Sequence, residues 1–410
     1  MPLRQNDSER LDIFAQAAPG LEPIVARELK ALGMKPHKEI GGAGFRAEMR
    51  GVYAANLWLR SASRVIVRLG DFHASSFHEL ERHAKRLPWS RFLPLTGAVR
   101  VRVTCRKSQL YHSDAVAERI LSAISRVAPQ GLELHHDAGA EEAVETESVG
   151  ETRQRDTQLF IVRISNDRCE ISADSSGDLL HRRGYKKEVG KAPLRETLAA
   201  AMVLASAWKS DEPLLDPMCG SGTIPIEAAL IGRGIAPGLQ RRFQFMNWPG
   251  FEVERWNSLL ESARGSAKSF TGLIRGADRD NGVVAAAQRN ASRAGVGDCI
   301  EFVAAPLSAS LASRNGEPGG WVITNPPYGV RVGEAGALRD LYAALGAGVA
   351  TKGGWRMGVL VADQALERQG RLPLRTRFTT KNGGIPVRYL ISEPSHAEPG
   401  KLTPVPAKVP

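Results

Sequence analysis

The stretch that most constrains the fold covers residues 214–231, near the middle of the chain. The leucine pair at its start predicts the end of a buried strand, and the apolar run over residues 224–231 predicts a helix. Between them, Gly220 and Gly222 permit backbone angles that other residues avoid and let a ligand approach the main chain. A strand, a glycine turn and a helix in this order predict an open α/β sheet with a nucleotide-like ligand at the carboxyl ends of its strands.

Two aspartates strengthen this interpretation, because a Gly-x-Gly pair without a third glycine also occurs in ordinary strand-to-helix turns. Asp216 ends the first strand, where its carboxylate can accept hydrogen bonds from an amine or hydroxyl of a ligand across the turn. Asp278 ends a second predicted strand over residues 272–278, and an acid there is the usual acceptor for ribose hydroxyls. Asp280 is predicted to lie at the N-terminus of the following helix.

A third motif, Asn325-Pro326-Pro327-Tyr328, follows the apolar strand predicted over residues 321–323. The Asn325 side-chain carbonyl and the Pro326 main-chain carbonyl can accept the two N–H groups of a purine's exocyclic amine. They would turn its lone pair toward an electrophile and stabilise the positive charge that develops on the nitrogen. The two prolines stiffen the loop, and Tyr328 offers a flat face on which a base can stack. We predict a catalytic loop here; an ordinary Asn-Pro turn is the alternative.

Composition limits the class of protein. A chain of 410 residues that is 42% hydrophobic and 24% charged predicts two or three folded domains. Its net charge of +11 favours a polyanionic partner. The four cysteines lack C-x-x-C spacing, which predicts reduced core residues of a cytoplasmic protein and no metal site. The N-terminus has no signal-peptide core, and no apolar run reaches the roughly 18 residues of a membrane helix.

The front half of the chain divides into two predicted units. Strands and helices over residues 11–70 suit a ferredoxin-like sandwich, and residues 71–177 include a strand pair joined at Asn166-Asp167. The acidic stretch over residues 133–156 lacks periodicity and predicts an exposed loop. The remaining predicted segments are a disordered N-terminus (1–10), a basic linker (178–191), a third domain (192–393) and a disordered tail (394–410).

Cations cluster at two places in the front half. One set lies on or just after the strand predicted over residues 98–105, and the other lies in the linker, where a tyrosine stands among the cations. Such residues suit the phosphates and bases of a nucleic acid, although a solvated surface is the alternative for any single one. The predicted RNA-contacting residues are Arg100, Arg102, Arg106, Lys107, Arg182, Arg183, Tyr185, Lys186 and Lys187.

These motifs carry a resemblance to a known family. The three site motifs look like the cofactor loop, acidic ribose site and catalytic loop of class I S-adenosylmethionine-dependent methyltransferases that modify exocyclic amines. Five further blocks resemble the THUMP-domain RNA methyltransferases, and among them the bacterial 23S rRNA guanine-N2 methyltransferases in the first half of their fused form. The blocks are Pro-Gly-Leu-Glu at 19–22, Leu-Arg-Ser-Ala-Ser-Arg at 59–64, Leu-His-Arg-Arg-Gly-Tyr at 180–185, Ala-Pro-Leu-Arg-Glu-Thr-Leu at 192–198 and Ile-Ala-Pro-Gly-Leu at 235–239.

The resemblance implies a fold, a cofactor and a site. The implied fold is α/β, with a Rossmann-like class I methyltransferase domain built on a seven-stranded sheet, preceded by a ferredoxin-like unit and an α+β THUMP domain. The implied cofactor is S-adenosyl-L-methionine. The implied catalytic residues are Asn325, Pro326, Pro327 and Tyr328, and the implied cofactor-binding residues are Asp216, Met218, Cys219, Gly220, Gly222, Thr223, Asp278 and Asn325.

Two departures from the family pattern affect these expectations. Pro306 stands where the family usually has an aspartate that meets the adenine amine, so adenine recognition must come from elsewhere or be weaker. The chain ends after one methyltransferase domain, so we expect it to lack the second methylation made by fused relatives.

We therefore predict methylation of a guanine N2 amine in 23S rRNA, with free RNA or a ribosome precursor as partner, in the cytoplasm. The same chemistry on tRNA guanine N2 or on adenine N6 is one alternative. A non-catalytic RNA-binding factor for ribosome assembly is another, which Pro306 favours. The sequence does not decide the target nucleotide or the oligomeric state.

Overall fold

The computed structural model describes residues 10–137, 157–188, 194–312, 318–328 and 335–392. The termini predicted to be disordered lie outside these ranges except for Arg10, as do residues 138–156 of the acidic stretch. The strands of the front half are β1 (Leu11–Ala17), β2 (His37–Glu39), β3 (Gly42–Ala47), β4 (Ala62–His73), β5 (Ala98–Arg106), β6 (Glu133–His136), β7 (Thr157–Ser165) and β8 (Arg168–Asp174). Its helices are α1 (Glu22–Ala31), α2 (Met49–Trp58), α3 (Phe77–Ala84) and α4 (Ser113–Ser125).

The front half forms one continuous sheet. Within the described residues it has eight strands in the order β2-β3-β1-β4-β8-β7-β5-β6. The first four strands alternate with α1 and α2 in the βαββαβ order of a ferredoxin-like unit, and they include β2, which the sequence did not reveal. Because β4 pairs with β1 at Val67 and with β8 at Phe72, the predicted boundary between residues 70 and 71 falls inside a strand.

The other half of this sheet is built around β5, which runs parallel to β6 and β7. The predicted hairpin of β7 and β8 is confirmed, and its turn residues Asn166 and Asp167 have φ of 50° and 61°, as a type I′ turn requires. The exposed-loop prediction was wrong for residues 133–136. They form β6 because their backbone pairs with the edge of β5.

The back half contains the second sheet and its helices. Its strands are β9 (Leu214–Asp216), β10 (Ile274–Asp278), β11 (Ile300–Ala304), β12 (Trp321–Thr324), β13 (Arg356–Val361), β14 (Leu374–Asn382) and β15 (Ile385–Ser392). Its helices are α5 (Glu196–Ala205), α6 (Thr223–Gly232), α7 (Val253–Gly265), α8 (Asn281–Arg293), α9 (Leu307–Leu311), α10 (Ala335–Ala350) and α11 (Gln364–Gln369).

This second sheet has seven strands among the described residues, in the order β11-β10-β9-β12-β13-β15-β14. The first five run parallel, and β14 and β15 form an antiparallel hairpin at one edge. The central strand β9 is buried on both faces, which explains its continuous apolar sequence before Asp216. The predicted fold class is confirmed.

A buried polar network joins the two halves. The Glu28 carboxylate accepts the backbone N–H of Arg60 at 2.7 Å, and the Arg60 guanidinium donates to the carbonyl of Ile235 at 2.6 Å. The carbonyl of Leu57 accepts the N–H of Gly238 at 3.0 Å, at a contact too close for a side chain on residue 238. Buried polar groups require partners, so this network fixes the front sheet against the back domain.

Within the described ranges, no helix is both long and apolar enough to cross a membrane. No cluster of three or more His, Cys, Asp or Glu side chains in these ranges has the arrangement of a metal site. All four cysteines belong to the described part of the chain and are free thiols.

Candidate active site

The three predicted motifs meet at one edge of the seven-stranded sheet. β9 lies between β10 and β12, with Leu214 opposite both Ile274 and Trp321. Parallel strands in this register end at the same edge, which brings the residues that follow Asp216, Asp278 and Thr324 together. The sheet grows in one direction from β9 through β10 and β11, and in the other through β12. Open α/β sheets bind their ligands at such a switch point.

The turn between β9 and α6 is held close to β10. The N–H of Cys219 donates to the carbonyl of Ala277 at 2.8 Å, and the N–H of Gly220 donates to Asp278 Oδ2 at 3.1 Å. Gly222 has φ of 85°, and a Cβ there would lie 2.9 Å from Cβ of Ala287. Gly220 has φ of 53°, and a Cβ there would meet no atom within 4 Å. One glycine is therefore required by packing, whereas the other faces open space.

Asp216 is 1% exposed and lies beneath this turn. Its Oδ1 accepts the Thr324 hydroxyl at 2.7 Å and the N–H of Met218 at 3.2 Å. Burial raises the pKa of this carboxyl to about 7, because the two hydrogen bonds offset only part of the cost of removing the charge from water, and Asp278 adds repulsion. A cationic ligand group beside Asp216 would favour its charged form.

The two candidate acids after β10 have different roles. Asp280 caps α8, since its Oδ1 accepts the N–H groups of Gly282 at 2.8 Å and Val283 at 3.2 Å. Its predicted position at a helix N-terminus is confirmed. Asp278 holds the turn instead, accepting Gly220 N–H on one oxygen and the N–H of Asp280 at 3.1 Å on the other.

The loop after β12 presents the predicted catalytic residues. Asn325 and Tyr328 are half-buried, Pro326 is buried and Pro327 is exposed. The Tyr328 hydroxyl donates to Asn325 Oδ1 and accepts Nδ2 of Asn382 at 3.3 Å. Burial raises the pKa of Tyr328 to about 12, so its hydroxyl remains a donor near neutral pH. Asn325 Oδ1, the proposed acceptor for a substrate amine, therefore already accepts a hydrogen bond from Tyr328. A substrate amine must donate to the second lone pair of this oxygen or displace the Tyr328 hydroxyl.

These residues fit an adenosyl-methionine type of cofactor. Gly220 leaves space above the turn, Asp216 is a buried carboxyl suited to an ammonium group, and Asp278 is a carboxylate at the tip of the second strand. Met218, Cys219 and Thr223 belong to the same turn, where Cys219 and Thr223 are buried. Pro306 is the N-cap of α9, and its carbonyl accepts both the N–H and the hydroxyl of Ser310 at 3.0 Å, so it offers no free polar group for adenine.

Two asparagines that support the site, Asn290 and Asn382, were not identified from the sequence as site residues. Asn290, fully buried on α8, donates from Nδ2 to the carbonyl of Ser221 at 3.1 Å and so supports the glycine turn. Its signal was a polar residue on the same buried helix face as Ala287. Asn382 is the last residue of β14, and its side-chain Nδ2 donates to the Tyr328 hydroxyl at 3.3 Å.

The predicted RNA-contacting residues separate into surface and interior groups. Arg106, Lys107 and Lys187 are exposed, and Arg182 is half-buried. Arg100 and Arg102 are partly exposed and both bind the carboxylate of Asp137, Arg102 at 2.8 Å. The exposed cations remain candidates for RNA contact.

The prediction was wrong for Arg183, Tyr185 and Lys186, which lie in the interior. Arg183 donates to the carbonyls of Leu180 and Arg60, because its guanidinium is enclosed between the two halves of the chain. The Tyr185 hydroxyl donates to the buried carboxylate of Glu227 at 3.0 Å, and Lys186 donates to the carbonyl of Leu194 at 2.5 Å. These side chains hold the domains together and cannot reach RNA.

Comparisons with protein families match three parts of the chain. Residues 12–66 match the RlmL ferredoxin-like domain, residues 74–136 the THUMP domain, and residues 183–390 the RMKL-like methyltransferase domain. These matches confirm the resemblance found in the sequence.

Similar proteins agree with the family matches. The chain is 36% identical over 393 residues to the ribosomal RNA large subunit methyltransferase K/L of Syntrophotalea carbinolica, covering 93% of this chain and 53% of that protein. It is 34% identical to a Synechocystis sp. protein assigned as an RNA methyltransferase, covering 92% and 95% of the two chains. The chain thus spans about half the length of the K/L relative.

A solved methyltransferase structure is similar to this chain over nearly its whole length. SMU.472, assigned as a methyltransferase and crystallised with SAH, is 29% identical, covers 95% of this chain and 100% of its own, and has a TM-score of 0.81. The predicted cofactor, S-adenosyl-L-methionine, is that of the class I methyltransferase family. With its ferredoxin-like unit, its THUMP domain and its seven-stranded catalytic sheet, the chain belongs to the RMKL-like family of methyltransferases.

Proposed function

We propose that this protein methylates the exocyclic N2 amine of a guanine in 23S rRNA, either free or in a ribosome precursor. The observation that carries the proposal is the contact between the two loops of the site. The Thr324 hydroxyl donates to Asp216 at 2.7 Å, which fixes the start of the Asn325-Pro326-Pro327-Tyr328 loop against the cofactor turn. A methyl donor on that turn and an amine on that loop would meet at one edge of the sheet.

The residues of the chain would position the amine rather than activate it. S-adenosylmethionine supplies, when bound, a methyl group already activated by a sulfonium. Asn325 Oδ1 and the Pro326 carbonyl would accept the amine's N–H groups, orient its lone pair and stabilise the charge that develops on nitrogen. No strong base is required, because the alkylated nitrogen loses its proton readily to water.

Other residues would hold the two substrates. Asp216 would pair with the cofactor's ammonium group and Asp278 with its ribose, while Met218, Cys219, Gly220, Gly222 and Thr223 shape the turn around it. The ring of Tyr328 would stack on the target base. Arg106, Lys107 and Lys187 are exposed in the front half and linker, where they can contact phosphates beyond the target.

The proposal is tested with rRNA from cells that lack the gene. The purified protein and labelled S-adenosylmethionine should transfer a methyl group to 23S rRNA, and mass spectrometry of the digested product should find N2-methylguanosine. Methylated adenosine, or methylation of tRNA alone, would reject the substrate. A folded protein that binds S-adenosylmethionine in calorimetry and methylates none of these RNAs would reject the activity.

A further inference from the structure

A small cleft lies where five segments of the chain meet near the catalytic loop. Its walls come from the loop after β1, the start of β4, the linker, the N-terminus of α5 and the end of β14. We call it the junction cleft and define it by Ser63, His181, Arg195, Thr380, Lys381 and Asn382.

The junction cleft has the electrostatics of an anion site. Arg195 and Lys381 bring positive charge to its lining, and none of the residues that line it is an aspartate or glutamate. Burial is the largest of the causes that lower the pKa of His181 to about 3. Repulsion from nearby cations is the other cause; they are Arg195, Arg183, Arg182 and Lys186. The imidazole is therefore neutral at physiological pH and remains available as a hydrogen-bond donor or acceptor.

A buried hydroxyl in the lining has no protein partner. Thr380 is 3% exposed, and its Oγ1 makes no hydrogen bond to any described protein atom. Burying such a hydroxyl costs free energy unless a ligand supplies its missing hydrogen bond. The N-terminus of α5 lies in the same wall, and the side chain of its N-cap residue, Arg195, is only a donor and so cannot satisfy the first N–H groups of the helix. The positive end of a ten-residue helix therefore adds to the field.

The size and position of the cleft limit what it can bind. Its volume of about 30 Å³ exceeds the space for one water molecule but is too small for a purine ring. Asn382 lines the cleft and also donates to the Tyr328 hydroxyl, which in turn donates to Asn325. Asn382 thus connects the cleft, through two hydrogen bonds, to the proposed acceptor of the target amine.

We propose that the junction cleft binds a backbone phosphate of the RNA next to the target nucleotide, with Lys381, Arg195 and the Thr380 hydroxyl as its partners. This inference rests on the proposed RNA substrate. It gives the front half a direct role at the catalytic loop, because Ser63 and the loop after β1 form part of the same wall. Phosphate contacts fix the register of a nucleic acid without reading its sequence.

The test compares four variants of the full chain. Lys381→Ala and Thr380→Val remove a cleft contact, and Lys209→Ala removes an exposed lysine just beyond the opposite end of α5. The double variant Thr380→Val/Lys381→Ala removes both cleft groups. Binding of an unmodified 23S rRNA transcript and of S-adenosylmethionine is measured separately, with thermal unfolding as the check on folding.

Each single cleft variant should weaken RNA binding about tenfold, as expected for loss of a hydrogen bond to a charged group, and leave cofactor affinity unchanged. Lys209→Ala should change RNA binding less than about twofold. Equal effects of Lys381→Ala and Lys209→Ala would overturn the assignment. An equal loss of cofactor affinity would show that the cleft serves the cofactor instead.

Inorganic phosphate identifies the chemical class of the ligand. It should produce a saturable shift of the His181 ring resonance in the wild type that is absent from the double variant. If RNA binding weakens but phosphate produces no shift, the cleft contacts another part of the nucleotide and the phosphate assignment is wrong. Neither measurement requires methyl transfer, so a failure of the proposed guanine-N2 activity would be seen independently in the product analysis.

Discussion

The turn after β9 and the loop after β12 lie side by side but are held in different ways. Asp216 accepts a buried hydrogen bond from Thr324, and Gly222 lies too close to Ala287 to carry a side chain. Asn325 and Tyr328 are half-buried and bond to each other, and Tyr328 also bonds to Asn382 at the end of β14. The cofactor side is therefore preformed, whereas the substrate side can exchange its internal hydrogen bonds for bonds to a base. This difference predicts that cofactor binding and turnover can be damaged separately.

Replacing Asn325 with alanine should give the largest effect. The variant loses the side-chain acceptor that orients the amine in the transition state, so kcat should fall about 100- to 1,000-fold. Cofactor affinity should change less than about threefold, because the Asn325 side chain bonds to Tyr328, whereas Asp278 and Thr324 hold the cofactor turn. Single-turnover methylation and calorimetry measure the two quantities. Parallel losses in both would show that the loop and the turn form one unit.

Replacing Asp216 with asparagine should have the opposite result. The side chain keeps an acceptor for Thr324 and Met218 but loses the charge proposed to meet the cofactor's ammonium. Cofactor affinity should fall about 100-fold, as for loss of one partner of a buried charge pair, whereas kcat at saturating cofactor should change little. Unchanged cofactor affinity would reject the role of Asp216.

The two glycines of the turn provide a matched pair for stability. Gly222→Ala adds a Cβ at φ of 85° and at 2.9 Å from Ala287, and it should lower the free energy of unfolding by about 2 kcal/mol. Gly220→Ala meets no atom within 4 Å and should cost about 1 kcal/mol, from its positive φ alone. Chemical denaturation measures both. Equal losses would mean that packing on α8 does not fix the turn.

The raised pKa of Asp216 predicts a pH dependence confined to the cofactor side. A cationic group favours the charged carboxylate, so S-adenosylmethionine affinity should fall as pH drops below about 7, by at most about tenfold per pH unit. Without cofactor, the contribution of Asp216 to the free energy of unfolding should instead be larger at low pH. Because the folded pKa is raised, the folded state binds the proton more tightly, and this contribution to stability is lost as pH rises from about 4 to 7.

Calorimetry from pH 5.5 to about 8.5 tests the affinity, and denaturation over the same range tests the stability. Asp216→Asn is the control, since its affinity should vary little with pH and its stability should fall less toward pH 7 than that of the wild type, in which Glu28 and Glu196 also have raised pKa values. A wild-type affinity that is flat across this range would show that Asp216 is not coupled to the cofactor.

Features set by local chemistry were predictable from the sequence. The glycine turn, the strand-ending aspartates and the Asn166-Asp167 hairpin follow from residues whose backbone preferences act over a few positions. The burial of side chains in the basic linker was not predictable from local sequence. Arg183 is buried because Arg60 and Glu227, more than 40 residues away on either side, supply its partners.

The same limit applies to strand pairing and to the catalytic loop. β2 and β6 are three and four residues long, so their periodicity is too short to detect, and each exists because a neighbouring edge accepts it. The motif around Asn325 predicted the loop, but only the fold brings Asn382 from the final hairpin to Tyr328. Contacts between elements distant in sequence decide which polar residues share a site.

Tyr328→Phe should give the smallest effect and tests how the substrate side is held. The variant keeps the ring for stacking on a base but removes the hydroxyl that links Asn382 to Asn325. Loss of one such hydrogen bond costs about 0.5–1.5 kcal/mol, so kcat should fall about twofold to tenfold, with cofactor affinity unchanged. If the hydroxyl instead only blocks Asn325 before RNA binds, its removal should tighten RNA binding and leave kcat intact. Measuring both constants for Tyr328→Phe, with Tyr328→Leu as the variant that also loses stacking, decides whether this hydroxyl orients the catalytic amide or competes with the substrate for it.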